Sequence, residues 1–229
     1  MSDSAVDSKI RERGHWWFRV RPSEFREQRI EAITSLLPIL ERCSVSLRGW
    51  DFPHVGREGA QLQLDYIEQG SEWGEHLEYW RFYKSGQFID RLALRNDWMD
   101  QAALDPTPAN WQPGVELGVG GTVFSLTEFC EFASRLAITD AGGEAMRFEV
   151  QLRGLRGRRL KADDPRRAGF MQRYEASIDA FPFSKDLTRD ELASNSRELA
   201  LEIAGELFQY FGWQPSRDLL QGIQDELRW

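Results

Sequence analysis

The chain has 229 residues, 41% hydrophobic and 29% charged, enough for a sizeable core and incompatible with global disorder. Its net charge of −8 argues against a surface that attracts nucleic acid or anionic membrane everywhere, so only a local basic patch needs weighing. No run approaches the roughly 18 apolar residues of a membrane helix, and a cytoplasmic location is expected.

Residues 1–14 are polar, mixed in charge, and read as a flexible N-terminal tail. The aromatic, β-branched run His15-Trp16-Trp17-Phe18-Arg19-Val20-Arg21 predicts a strand closed by Pro22. A helix should follow, with Phe25, Ile30, Ile33, Leu36, Leu37 and Leu40 on one side, and Pro38 should kink it or end its regular part. Residues 45–50 alternate and predict a second strand. Residues 54–76, punctuated by Gly56, Gly59, Gly70 and Gly74, read as a long loop holding a short strand or helix. Residues 77–83 and 87–94 flank Lys84-Ser85-Gly86 and predict a β-hairpin, with glycine available for positive φ. The proline- and glycine-rich stretch 97–121 reads as a linker or long surface loop between halves at 15–96 and 122–229.

In the second half, residues 122–126 predict a strand and residues 127–137 a helix with Phe129, Phe132, Ala133 and Leu136 on its apolar face. Residues 147–155 and 174–181 alternate as strands. Thr188 and Glu191 form a capping box ahead of a long helix ended by Gly212, and Pro215-Ser216 opens a last helix. Trp17-Phe18-Arg19-Val20, a helix, then Val45-Ser46-Leu47-Arg48-Gly49-Trp50 is matched in order by Val123-Phe124-Ser125-Leu126, a helix, then Val150-Gln151-Leu152-Arg153-Gly154-Leu155. The expected fold is therefore α+β: two β-α-β-β-like halves from an internal duplication, with a C-terminal helical pair. Coincidence competes with duplication, because the shared Leu-Arg-Gly tripeptide is short.

Catalytic and metal signatures are missing from the sequence. His15, His54 and His76 are the only histidines, no Cys-x-x-Cys spacing exists, and no cofactor, metal or catalytic residue is expected. Cys43 and Cys130 have no histidine beside them that would activate a thiolate. Gly118-Val119-Gly120-Gly121-Thr122 resembles a phosphate-cradling loop but lacks the Gly-Lys-Ser/Thr that follows in one, so it reads as linker. Asp51 and His54, beside Trp50, are candidates for a site, against the plainer reading of a turn. Trp80 and Phe82 on the hairpin present aromatic surface if one face stays uncovered, and core if both are buried. The basic residues Arg153, Arg156, Arg158, Arg159, Lys161, Arg166 and Arg167 suit phosphate contacts, a protein interface, or a solvated face.

The run Leu47-Arg48-Gly49-Trp50-Asp51-Phe52-Pro53-His54, followed by Trp80-Arg81-Phe82-Tyr83-Lys84-Ser85-Gly86-Gln87-Phe88, resembles a group of bacterial accessory proteins encoded near mobile-element or anti-phage defence genes. The resemblance implies a bacterial cytoplasmic protein acting beside a larger effector, and transfers no catalytic residue. The leading expectation is a non-enzymatic binding or adaptor subunit with a protein partner, contacted through Trp50, Asp51, His54, Trp80 and Phe82. The alternatives are nucleic-acid binding by residues 153–167, and an enzyme whose acidic site is not recognisable from sequence. Raised carboxyl pKa values clustered in one cleft would favour the enzyme.

Overall fold

The computed structural model of the chain describes residues 5–56, 59–102, 110–163 and 169–227. The chain enters through helix α1 (Ala5–Ile10) and strand β1 (His15–Pro22), then crosses a turn-rich stretch to α2 (Leu36–Cys43). Strands β2 (Gln61–Leu62), β3 (Tyr66–Trp73), β4 (His76–Tyr83) and β5 (Phe88–Ala93) follow as a meander. β6 (Glu116–Gly118) runs directly into the long helix α3 (Val119–Ala137), and β7 (Ala145–Arg153), β8 (Arg159–Lys161) and β9 (Ala180–Thr188) come next. Helices α4 (Arg189–Gln209) and α5 (Arg217–Gln224) complete the order.

Seven strands form one antiparallel sheet in the order β2-β3-β4-β5-β1-β7-β9, while β6 and β8 make a small parallel pair. Strand β1 sits between β5 and β7, with Phe18 opposite Asp90 on one side and Val150 on the other. Strand alternation puts Trp16, Phe18, Val20, Trp80, Phe82, Phe88, Phe148 and Val150 on a single face, all buried in one core with α2, α3, α4 and α5. Aromatic edges knit the layers: Phe88 lies 4.4 Å from Phe132 of α3, and Phe52 lies 4.7 Å from Phe129. On the opposite face α1 covers a smaller cluster of Ile10, Leu77, Tyr79, Ala93 and Trp98.

The α+β class and the C-terminal helices stand, as do the strand at 15–21, the hairpin, the strand at 147–155 and the Thr188–Glu191 capping box. Several local expectations need correction. Residues 5–10 are helical and docked, not a frayed tail, with Ile10 wholly buried. Residues 122–126 belong to α3, so the strand matched to Trp17–Val20 is not there; the strand that precedes this helix is β6, outside the matched residues. Their β-branched character is overridden because that segment is buried by the sheet and the other helices. Residues 45–50 form a turn closed by the single bridge Val45–Phe52, with Gly49 at φ +89°. The second-half strand expected at 174–181 begins only at Ala180, and the helix expected from Pro22 starts at Leu36. The stretch 97–121 contains β6 and the start of α3, and its residues 103–109 lie outside the described residues.

The hairpin turn has a stringent requirement. Gly86 sits at φ +84°, and a Cβ there would stand 2.1 Å from the Ala141 carbonyl oxygen. Gly86→Ala should lower stability by at least about 1 kcal/mol, through backbone strain and this clash. A urea midpoint equal to that of the unaltered protein would show that the turn yields freely.

Candidate binding cleft

A cleft of about 1170 Å³ opens where the ends of β4 and β5, the 48–52 turn, the first turns of α3, and α5 converge. Local sequence explains each wall. The Gly49 turn carries Arg48 and Trp50 to the cleft, and Trp80 Nε1 holds that loop by donating to the His54 carbonyl at 2.9 Å. Gly118, Gly120 and Gly121 let the Asp163 carboxylate approach the start of α3, where it accepts from the Gly120 and Gly121 amides at 2.8 and 2.7 Å. Asp163 thus satisfies helix-terminal donors that would otherwise lack partners. The glycine-rich segment is a helix start, not a linker.

The floor is polar and buried. Glu128, with its side chain 1% exposed, accepts from Arg48 Nε at 2.9 Å and also from Nη2, and Arg48 Nη2 lies 3.4 Å from Ser125 Oγ. Glu78, equally buried, accepts from the His54 amide at 3.2 and 3.1 Å and meets His76 Nε2 at 3.2 Å. Burial pushes the Glu128 carboxyl above its ordinary value; Arg48 pulls against this and Glu78 adds to it. Behind the floor, Asp90 is completely buried, and burial followed by Glu78 raises its carboxyl well above the usual range. Seven carboxylates and two arginines line the cleft, together with Trp50, Trp73, Trp213, Phe124 and Phe170.

Residues singled out by sequence divide between this cleft and the core. Trp50 and Asp51 line it, and His54 supports its wall through backbone contacts. Trp80 and Phe82 are fully buried and cannot touch a partner; their role is to hold the sheet and the turn. Of the basic residues, Arg158 is 1% exposed and ion-paired with Asp97, which removes it from any phosphate-binding surface. Arg153, Arg156, Arg159 and Lys161 are exposed, with Lys161 on Glu116 at 2.6 Å and Arg159 3.8 Å from Glu175. Arg166 and Arg167 lie outside the described residues.

Arg48, Glu78, His76, Glu128, Trp73 and Trp213 were not picked out by sequence. A signal existed for two of them: alternation puts Glu78 on the same strand face as Trp80 and Phe82, and Glu128 interrupts the apolar run of α3. Burial pushes the Cys43 thiol up to about 11 and raises the Cys130 thiol well above its ordinary value, so neither supplies a thiolate. Among the described residues no group of three or more His, Cys, Asp or Glu is placed to hold a metal ion. No described helix is long and apolar enough to cross a membrane. Comparison with protein-family models, with curated proteins and with solved structures finds no match.

Proposed function

We propose that the chain is a binding subunit that receives a cationic segment of a protein partner in this cleft. The observation that carries the reading is the excess of carboxylates beside Trp50, Trp73 and Trp213 in one concavity. Carboxylates draw lysine and arginine side chains, and indole faces add cation–π attraction. The volume of about 1170 Å³ exceeds the range of about 300–1,000 Å³ common for small-molecule pockets, which favours a stretch of chain over a metabolite. In the setting implied by the resemblance, the partner is a bacterial cytoplasmic effector and the role that of an adaptor.

A tetra-arginine model peptide, titrated by tryptophan fluorescence, tests the reading. Asp51 and Trp73 are exposed at the cleft, so Asp51→Asn with Trp73→Ala should leave the fold intact. The double variant is expected to weaken the peptide about tenfold or more, the scale of one lost charge-assisted contact plus stacking. Asp140→Asn, an exposed site away from the cleft, removes the same charge and should change little. Equal losses in the two proteins would mean only general attraction to an acidic surface, and would sink the reading.

A second reading, an enzyme using acidic residues, is favoured by the raised Glu128 carboxyl on the cleft floor. It differs in one outcome: a bound ligand would be turned over, and Glu128→Gln would stop turnover while binding persists.

A further inference from the structure

A second concavity, of about 560 Å³, shares no lining residue with the cleft and lies where the start of β1 meets the ends of β5 and β7. Strand register builds it. His15 is directly opposite Arg153, and Trp17 directly opposite Arg91, on the sheet face that Trp16 and Phe18 do not occupy. Five arginines line this pocket against the three carboxylates of Glu12, Asp97 and Asp179.

Four of the five are ion-paired within the fold, Arg158 with Asp97, Arg13 with Asp100, and Arg91 and Arg11 with one shared carboxylate. Buried Asp7 lies between Arg91, at 2.7 Å, and Arg11. Arg153 makes no ion pair among the described residues; its guanidinium meets the amide oxygen of Gln151 at 2.8 and 3.2 Å. His15 is 6% exposed, and its Nδ1 lies 2.9 Å from the Arg13 carbonyl, so Nδ1 carries the hydrogen and Nε2 is left as an acceptor. Burial first, then the charges of Arg153, Arg91 and Arg11, hold the His15 imidazole below its ordinary value against the opposing bond to Arg13. Three guanidinium groups therefore act on one largely desolvated ring, with the half-buried indole of Trp17 beside them.

Guanidinium groups suit phosphate oxygens, and an indole suits the flat face of a base. A volume of about 560 Å³ accommodates one such unit. We propose that this pocket binds a nucleotide, its phosphate held by Arg153 and Arg91 and its base against Trp17. The site is thus distinct from the linear segment 153–167, of which it uses Arg153 while Arg158 serves as structure. It also stands apart from the cleft, and its failure would leave the cleft reading untouched.

The same chemistry is offered by a free nucleotide and by a unit within a single strand, so both are titrated against the full-length protein. AMP and a fluorescein-labelled oligothymidylate are the probes, with adenosine and inorganic phosphate as half-ligands. AMP bound as tightly as the strand identifies a free nucleotide; the strand alone identifies single-stranded nucleic acid. Either result upholds the pocket, provided that Arg153→Glu weakens binding about tenfold or more. Arg153 is exposed, so this variant is expected to fold. Arg156→Glu makes the same charge change at an exposed site outside the pocket, and should cost much less. The proposal is overturned by no binding of either probe, by inorganic phosphate matching AMP, or by equal losses in the two variants.

Discussion

Arg158→Met should cost about 3–5 kcal/mol of stability, lowering the urea midpoint while leaving the denaturant slope unchanged. Arg158 and Asp97 are 1% and 2% exposed and meet face to face, Nη1 to Oδ1 at 2.7 Å and Nη2 to Oδ2. The pair also satisfies backbone groups that would otherwise be buried without partners. Arg158 donates to the carbonyls of Gly154 and Glu116, and Asp97 accepts from the amides of Gly14 and Gly114 at 3.0 and 2.9 Å. It therefore ties the approach to β1, the exit of β5, the approach to β6 and the exit of β7 into one knot. Gly14 is part of the design, because a Cβ there would stand 2.1 Å from Arg158 Nη2. Methionine fills much of the volume but leaves a buried carboxylate without a countercharge, the costly way to break such a pair. Arg158→Lys should lose less, since it keeps the charge and forfeits the two-pronged geometry. A loss below about 1 kcal/mol for Arg158→Met would mean that the four segments are held by packing alone.

That knot shows where sequence reading stops. Arg158 and Asp97 are 61 positions apart, and nothing in the run Arg153 to Lys161 distinguishes a buried arginine from its exposed neighbours. The elements that were legible are local ones. The hairpin has its own turn glycine, and the capping box has both reciprocal bonds between Thr188 and Glu191. Residues 122–126 misled because propensity favoured a strand, whereas the environment, core on nearly every side, accepts a helix. The glycines before them read as linker until Asp163, more than 40 positions on, is seen seated on their amides. The cleft was half legible. Trp50 and Asp51 stood out, but Arg48 and Glu128 on the same cleft are 80 positions apart and meet only through the fold. Glu78 and Asp90 could have been flagged, because period-2 alternation places each on the apolar side of its strand.

Asp90→Asn should stabilise the protein at pH 8 by on the order of 1 kcal/mol or more, the scale of a carboxyl displaced by one pH unit, and should flatten the dependence of stability on pH. Asp90 faces Phe18 and Trp80 across the adjoining strands, and neither of its oxygens makes a well-formed hydrogen bond among the described residues. Burial, then the Glu78 carboxylate, raise its carboxyl well above the ordinary value, while Arg91 opposes without reversing the effect. In the unfolded chain the same group titrates near pH 4. Between that value and the folded one the native state binds more protons, so stability falls as pH rises. The contribution is complete below about pH 4 and is lost as pH climbs through the folded-state value. Glu128, also raised, adds a slope of the same sign. Asparagine cannot ionise, so the variant should keep at pH 8 what the natural protein loses. It should also preserve the Glu78 bonds to the His54 amide and His76, because a neutral group at position 90 does not repel Glu78. Urea midpoints at pH 5 and pH 8 for both proteins decide the matter. A variant less stable than the natural protein at pH 8 would mean that the Asp90 carboxylate is paid for by a favourable interaction and is not a burden on the sheet.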